Sequence, residues 1–99
     1  IFNDMKPRLV NVLGRRMEVT PKGIMLFIEN IDVPGVIGKV GKTLGDRSIN
    51  IAAYLLNRSD KDGRAFAVIR VDNEVKKEDM IALEKLEEVE WVKCVNANT

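Results

Sequence analysis

A short, unbroken apolar run constrains the fold of this chain more than any other feature of its sequence. The run, Ile24-Met25-Leu26-Phe27-Ile28, has the length of a strand and contains no polar residue. A strand whose side chains are all apolar is covered on both faces, so we predict that it lies in the centre of a sheet. The break Thr20-Pro21-Lys22-Gly23 precedes it. This break divides the chain into a preceding tail or linker, residues 1–23, and a compact unit, residues 24–99.

A helix is predicted directly after the apolar run. Pro34 suits the first turn of a helix, because its missing N–H has no intrahelical partner there. Four apolar residues fall on one helical face, namely Val36, Ile37, Val40 and Leu44. Four glycines share the same stretch, namely Gly35, Gly38, Gly41 and Gly45. Because glycine lowers helix propensity, we expect these glycines to have a packing reason, a close approach of the helix to the sheet.

The order of strands and helices in the rest of the compact unit defines its fold class. Strands are predicted at Ile49–Leu56 and Arg64–Val71, joined by the polar turn Ser59–Gly63. A helical pattern covers Lys76–Glu88 and a last strand covers Trp91–Val95. The order β-α-β-β-α-β is that of the ferredoxin-like fold, an α+β two-layer sandwich with both helices on one face of the sheet.

Two features of the sequence bear on the surfaces of this sandwich. Two short apolar runs on either side of Gly14 predict a short β hairpin in the tail, residues 1–23. Phe66 and Val68 alternate with the core positions of their strand, so we expect them on the face away from the helices. With the edges of strands Ile24–Ile28 and Ile49–Leu56, they would leave apolar surface exposed in a monomer. We therefore predict a homodimer or a larger homo-oligomer.

The residue inventory excludes several classes of function. The 99 residues include 16 basic and 15 acidic ones, a formal net charge of +1, which argues against a nucleic-acid partner. No apolar run approaches the roughly 18 residues of a membrane span. The chain has no histidine and a single cysteine, Cys94, so we expect no disulfide, no metal site and no histidine-based catalysis. We expect a cytoplasmic domain without catalytic residues, one that binds or regulates.

The segment between the first strand and the first helix is the strongest candidate for ligand binding. Backbone N–H groups at a helix start favour a carboxylate, and Gly35 and Val36 supply them with little steric obstruction. Asn30 and Asp32 can accept hydrogen bonds from an ammonium group, so the segment suits a zwitterionic amino acid. Alternatively, Asp32 only caps the helix and Asn30 only turns the chain. Asn50 opens a strand in which asparagine is disfavoured, either as a solvated amide or as a further ligand contact.

These same residues carry a resemblance to a known family. The run from Ile28-Glu29-Asn30-Ile31-Asp32-Val33-Pro34-Gly35 to Gly41, followed by Leu44-Gly45 and Ile49-Asn50-Ile51-Ala52, resembles the ACT domain. The similarity is nearest to the C-terminal regulatory domain of the D-3-phosphoglycerate dehydrogenase family, NAD-dependent enzymes of serine biosynthesis. The iron–sulfur L-serine dehydratases carry a similar ACT domain. A purely structural oligomerisation domain is a third interpretation that the sequence leaves open.

The resemblance implies a partner, a ligand and a cofactor elsewhere. ACT domains of this kind pair side by side into one eight-stranded sheet, with L-serine bound at the interface between two copies. Matched residue by residue, Asn30 and Asp32 would come from one copy and Asn50 from the other. NAD would bind to other domains of the parent enzyme, because no Gly-x-Gly-x-x-Gly fingerprint occurs in this chain. No cofactor is expected in the chain itself.

Two other classes of protein share the predicted element order. An acylphosphatase needs an arginine in the loop after the first strand, and residues 30–33 contain none. An RNA-recognition module needs exposed aromatic residues on its central strands, for which only Phe27 and Phe66 are available. Neither class fits the sequence as well as an amino-acid-binding regulatory domain does.

Overall fold

The computed structural model describes residues 8–12, 15–19, 23–58 and 62–96, with side chains from residue 23 onward. The strands are β1 (Arg8–Val12), β2 (Arg15–Val19), β3 (Ile24–Ile31), β4 (Ile51–Arg58), β5 (Arg64–Val71) and β6 (Val89–Asn96); the helices are α1 (Val36–Asp46) and α2 (Lys77–Glu84). From β3 onward the order is β-α-β-β-α-β, which confirms the predicted ferredoxin-like fold. β1 and β2 form a separate antiparallel pair, as predicted for the tail.

The position of β3 confirms the interpretation of the apolar run. The four-stranded sheet has the order β4-β5-β3-β6, and all neighbouring strands are antiparallel. Met25, Leu26, Phe27 and Ile28 are all buried, because strands flank β3 on both sides and side chains cover both of its faces. The prediction that β3 leaves a free edge is therefore wrong. The edges of this sheet are β4 and β6.

Both helices cover one face of the sheet and close the main core. Residues of α1, α2 and the inner strands meet there, among them Val36, Val40, Leu44, Leu83, Leu26, Ile28 and Ile69. Ile37, predicted on the same helix face, is instead 50% exposed. The expected close approach of the glycines to the sheet is also wrong. A Cβ atom at Gly38, Gly41 or Gly45 would meet nothing within 4 Å, because these positions lie on the open side of α1.

The opposite face of the sheet carries a second apolar cluster. Met25, Phe27, Phe66 and Val68 are its buried members, and Trp91 and Val95 pack against them. The Phe66 ring lies 5.6 Å from that of Trp91, whose Nε1–H donates to Glu29 Oε1 at 2.7 Å. Phe66 and Val68 are only 1% and 3% exposed within a single chain. The prediction that a monomer would expose them is therefore wrong.

Several predicted boundaries shift for identifiable reasons. α1 begins at Val36 rather than near Pro34, because Gly35 takes a left-handed conformation with φ of 91° at the helix start. α2 ends at Glu84 rather than Glu88. Residues 85–88 form turns, in which the N–H of Val89 bonds to the carbonyl of Leu86 at 3.0 Å. These turns allow β6 to begin at Val89, two residues earlier than predicted.

An irregularity in β4 changes which of its side chains face the helices. Ile51 lies opposite Val71 and Ala53 opposite Arg70, so one extra residue is inserted into β4. Ile51 and Tyr54 therefore both pack on the helix-side core, although residues three apart on a regular strand face opposite ways. The regular alternation of the sequence, which would put Ile51, Ala53 and Leu55 on one face of the strand, is therefore interrupted.

The core contacts predict a matched pair of substitutions on α2. Leu83 is fully buried, whereas Ile81 on the same helix is exposed. Leu83→Ala should lower the free energy of unfolding by about 2–5 kcal/mol, because it removes buried methyl groups and leaves a cavity. Ile81→Ala should change it by about 0.5 kcal/mol or less. Urea unfolding followed by circular dichroism measures both values. Equal losses for the two variants would contradict the placement of the core.

Candidate functional site

Asn30 lies within β3 and not in the loop where the sequence placed it. It is 3% exposed and pairs with Ala65 on one side and Val89 on the other. Its Nδ2–H donates to the carbonyl oxygen of Ile31 at 2.9 Å. Loop geometry was predicted because polar residues follow the apolar run, but the strand pairing continues through Asn30 and Ile31. The amide that was expected to face a ligand is thus bonded to the adjacent backbone carbonyl.

Asp32 is the first residue after β3, and its backbone and side chain are both held. Its N–H donates to the carbonyl of Gly63 at 2.9 Å. Its carboxylate accepts hydrogen bonds from Arg58 Nε at 3.0 and 3.3 Å. The Asp32 side chain is 21% exposed and that of Arg58 is 67% exposed. No side chain caps the start of α1, so the interpretation of Asp32 as a helix cap is not supported.

The start of α1, a few residues after Asp32 in the chain, presents backbone donors. The carbonyl of Gly35 accepts the N–H of Lys39 at 3.0 Å, which begins the helical hydrogen bonding. A Cβ at Gly35 would meet nothing within 4 Å, so the backbone there is accessible. The Val36 side chain is buried in the core, and only its backbone can face a ligand. The first turn contains no acidic residue to neutralise the positive end of the helix dipole.

Asn50 lies just before β4 and is tied to the segment that follows β5. Its backbone N–H donates to Asn73 Oδ1 at 2.8 Å, and its Nδ2–H donates to Asp72 Oδ2 at 2.6 Å. Its carbonyl accepts the N–H of Asp72 at 2.9 Å. The side chain is nevertheless at the surface. The amide therefore has a structural partner, and a ligand that contacts it has to share or replace that partner.

The predicted ligand residues fall at two opposite ends of the sheet. Ile24 and Ile51, the first residues of β3 and β4, both lie opposite Val71. The two strands are therefore parallel, so Asn50 lies where β3 begins and Asp32 where β3 ends. β3 has eight residues, which at roughly 3.3 Å per residue separates the two side chains by more than about 20 Å. One chain therefore brings Asp32 to the start of α1 but does not bring Asn50 to the same place.

Arg58 is the neighbour that the sequence interpretation missed, since an arginine flanking a turn is usually only solvated. The signal that could have revealed it is the strand register. Arg58 lies opposite Ala65 and Ile31 opposite Arg64. The last residues of β3 and β4 thus flank the start of β5 at the same end of the sheet. That arrangement brings a cation within reach of Asp32.

A second polar cluster lies at the other end of α1. Arg47 is ion-paired with Asp79, and the Asp79 carboxylate also accepts the Lys76 N–H at 2.8 Å. The Lys76 backbone N–H, followed by the Arg47 guanidinium, holds the pKa of the Asp79 carboxyl below its usual value. Arg47 and Asp79 line an open groove of about 570 Å³. The bonds join the end of α1 to the start of α2, which is a structural role.

The remaining candidates offer little reactive chemistry. Cys94 lies on β6, and partial burial raises the pKa of its thiol, which disfavours the thiolate. In the ranges that the structure describes, no group of three or more histidine, cysteine or acidic residues could hold a metal ion. No helix among those residues is long and apolar enough to cross a membrane.

Comparisons with known proteins give the family of the chain. The family model of the ACT domain matches residues 24–88. D-3-phosphoglycerate dehydrogenase of Methanocaldococcus jannaschii is 36% identical over 90 residues, which are 91% of this chain and 17% of that protein. The Bacillus subtilis enzyme of the same name is 32% identical over 89 residues, 90% of this chain and 17% of that protein. The chain thus corresponds to a small part of these relatives.

Solved structures confirm the fold independently. The ACT domain from GTP pyrophosphokinase of Chlorobium tepidum superposes with a TM-score of 0.58 at 19% identity, covering 75% of this chain and 97% of that one. The regulatory subunit of aspartate kinase from Thermus thermophilus gives a TM-score of 0.61 at 22% identity, covering 75% and 50% respectively. At these identities the similarity concerns the fold alone.

The Asp79 contacts predict a specific dependence of stability on pH. Since the pKa of Asp79 is lowered in the folded chain, its stabilising contribution is present above the unfolded pKa of about 3.9 and is lost as pH falls through the folded pKa. Asp79→Ala should cost about 1 kcal/mol at pH 7, as for the loss of a helix cap. The difference between parent and variant should shrink below about pH 4. Urea unfolding between pH 7 and 3 measures it, and a constant difference would contradict the assignment.

Proposed function

The chain belongs to the ACT domain family, and on that premise we propose that it is the regulatory domain of a D-3-phosphoglycerate dehydrogenase. Its effector in this proposal is L-serine, bound where two copies of the chain meet. Residues 1–23 are the tail of a preceding domain or a linker. The similarity to two dehydrogenases of that name over about nine-tenths of the chain supports this choice of parent. NAD and the catalytic residues belong to other parts of a cytoplasmic parent enzyme.

The observation that carries the proposal is the arrangement at the end of β3. A carboxylate, Asp32, comes three residues before Gly35, where the accessible backbone of the helix start can donate hydrogen bonds. An α-amino acid carries one ammonium and one carboxylate group close together. Asp32 is complementary to the first group and the N–H groups near Gly35 and Val36 to the second. Asn30 supports the segment through its bond to Ile31 rather than by contacting the ligand directly.

Asn50 can join this site only from a second copy of the chain. Within one copy it lies at the opposite end of the sheet from Asp32. A twofold axis perpendicular to the sheet beside β4 would run the two β4 strands antiparallel. The start of one β4 then lies next to the end of the other, and Asn50 of one copy approaches Asp32 of its partner. The site is complete only in the dimer.

The surface around β4 is suited to such pairing. β4 is an edge strand of the sheet, and edge strands offer unpaired backbone groups to another strand. Leu55 and Leu56 on this strand are exposed, and so is Ile37 on α1. Joining two copies along β4 would cover these side chains and extend the sheet to eight strands. The apolar side chains that favour association thus lie on the β4 side, since Phe66 and Val68 are already buried.

Regulation follows from linkage between the ligand and the arrangement of the two copies. A ligand that contacts both copies binds the paired arrangement more tightly than any arrangement in which they are apart. That difference in affinity stabilises one arrangement of the parent enzyme, and its catalytic domains respond to it. A chain that associates without binding an amino acid would instead serve oligomerisation alone. If the chain bound L-serine but its parent enzyme were not a dehydrogenase, the ACT domain of an L-serine dehydratase would be favoured.

The proposed pairing predicts a matched effect of two charge substitutions. Leu56 on β4 is 37% exposed and Ile81 on α2 is 40% exposed. The parent chain should sediment as a dimer at micromolar concentration. Leu56→Glu should weaken the dimer about tenfold or more, because it brings like charges and lost apolar contact to the interface. Ile81→Glu should leave the dimer intact. A parent chain that sediments as a monomer at all concentrations would contradict the pairing.

The shared site predicts complementation between two defective chains. Asp32→Asn and Asn50→Ala should each weaken L-serine binding about tenfold to hundredfold in calorimetric titration. Asp46→Asn, at the exposed end of α1, is the control and should bind normally. When the two defective chains are mixed and refolded together, about a quarter of all sites should recover full affinity, because each mixed dimer holds one intact site.

The same mixture distinguishes a site shared between two copies from a site formed within one copy. If Asp32 and Asn50 served the same site from one copy, mixing would restore nothing. If the parent chain bound none of the twenty amino acids, the effector proposal would fail and oligomerisation would remain. Urea unfolding of Asn50→Ala provides the necessary folding control, because this variant also loses the bond to Asp72.

A further inference from the structure

The ion pair between Asp32 and Arg58 has a consequence for how an amino acid can bind. The negative charge of Asp32 already faces a positive charge, since both oxygens of its carboxylate accept the N–H of Arg58 Nε. We propose that the amino acid inserts into this ion pair, with its ammonium group on Asp32 and its carboxylate on Arg58. This inference rests on the proposed function, and it assigns to Arg58 the role of a residue that determines ligand specificity.

The balance of charge supports insertion over simple addition. An ammonium group that approached the intact pair would meet Arg58 as a like charge beside its acceptor. An ammonium group that displaced Arg58 would separate the guanidinium group from the Asp32 carboxylate that it contacts. A zwitterion resolves both problems, because its own carboxylate replaces Asp32 as the partner of Arg58. Planar guanidinium groups are well suited to bind carboxylates.

The exposure of the pair makes this exchange feasible. The Arg58 side chain is 67% exposed, and its partner is partly accessible. Exposed ion pairs contribute little to stability, so separating the two side chains carries a small cost. Arg58 is the last residue of β4, so its side chain lies at the end of the strand and not within the core. The backbone of Asp32, by contrast, is held by Gly63.

The other donors near the site are engaged, which is why the carboxylate of the ligand would need Arg58. The Asn30 amide, a side-chain donor that could serve a carboxylate, is buried and bonded to the Ile31 carbonyl. Lys39 on the first turns of α1 is paired with Glu88. Arg58 is already in place at Asp32 and complements the backbone donors at the start of α1. The site should therefore require both charges on one small ligand and discriminate against amines that lack a carboxylate.

The test compares two ligands on three variants of the chain. L-serine carries both charged groups, and ethanolamine keeps the ammonium and hydroxyl groups but has no carboxylate. Arg58→Gln should weaken L-serine binding about tenfold to hundredfold. Ethanolamine binding should stay the same or become tighter, because a competing cation has been removed from Asp32. Arg58→Lys should bind L-serine more tightly than Arg58→Gln but less tightly than the parent, because it keeps the positive charge and loses the planar guanidinium group. Arg64→Gln, whose arginine pairs with Glu90, is the matched control.

The outcomes of the titrations distinguish the possible roles of Arg58. A large fall in the serine-to-ethanolamine affinity ratio of Arg58→Gln supports insertion. Equal weakening of both ligands would show that Arg58 only holds Asp32 in place, and unchanged serine binding would show that it has no role; either overturns the inference but not the proposed function. A parent chain that binds no amino acid overturns both. Sedimentation of each variant verifies that the assembly state is unchanged.

Discussion

The burial of β3 on both faces is the constraint on which the rest of this structure depends. Leu26 and Ile28 face the helices, whereas Met25 and Phe27 face the second cluster. A strand of this kind is stable only in the middle of a sheet with both faces covered. β5 and β6 therefore lie on either side of it, and β4 is left as an edge. The exposed strand proposed to pair with a second copy is thus a direct consequence of the apolar run.

The same strand also positions the candidate site. β3 runs on through Asn30, which is paired with both neighbouring strands, and Ile31, which is paired with β5 and donates its N–H to Glu88 just before β6. The backbone of Asp32 therefore has a fixed position, and its N–H donates to the carbonyl of Gly63, just before β5. A carboxylate on a flexible loop would lose conformational entropy when a ligand bound to it. Here the backbone is already ordered in the folded chain, so that loss is smaller.

The polar residues in and around the proposed site all have partners in the folded chain. Asn30 bonds to Ile31, Asp32 to Arg58, and Asn50 to Asp72. Such groups do not pay a desolvation penalty when the site is empty, so the unliganded form is stable. In the proposed site a ligand would exchange one set of hydrogen bonds for another, so we expect its net affinity to be modest. Modest affinity suits an effector that must dissociate when its concentration falls.

Much of this protein could be inferred from the sequence, because the relevant information is local. Apolar runs, alternation and turn residues predict the order of elements from Ile24 onward, and the family motif identifies Asp32 and Asn50 as residues of interest. What the sequence did not determine depends on register and packing between distant segments. The extra residue in β4, the burial of Phe66, the open side of the α1 glycines and the contact between Arg58 and Asp32 all join residues far apart in the chain. Only the tertiary structure decided these features, since the free energy of strand pairing and burial outweighs local preference there.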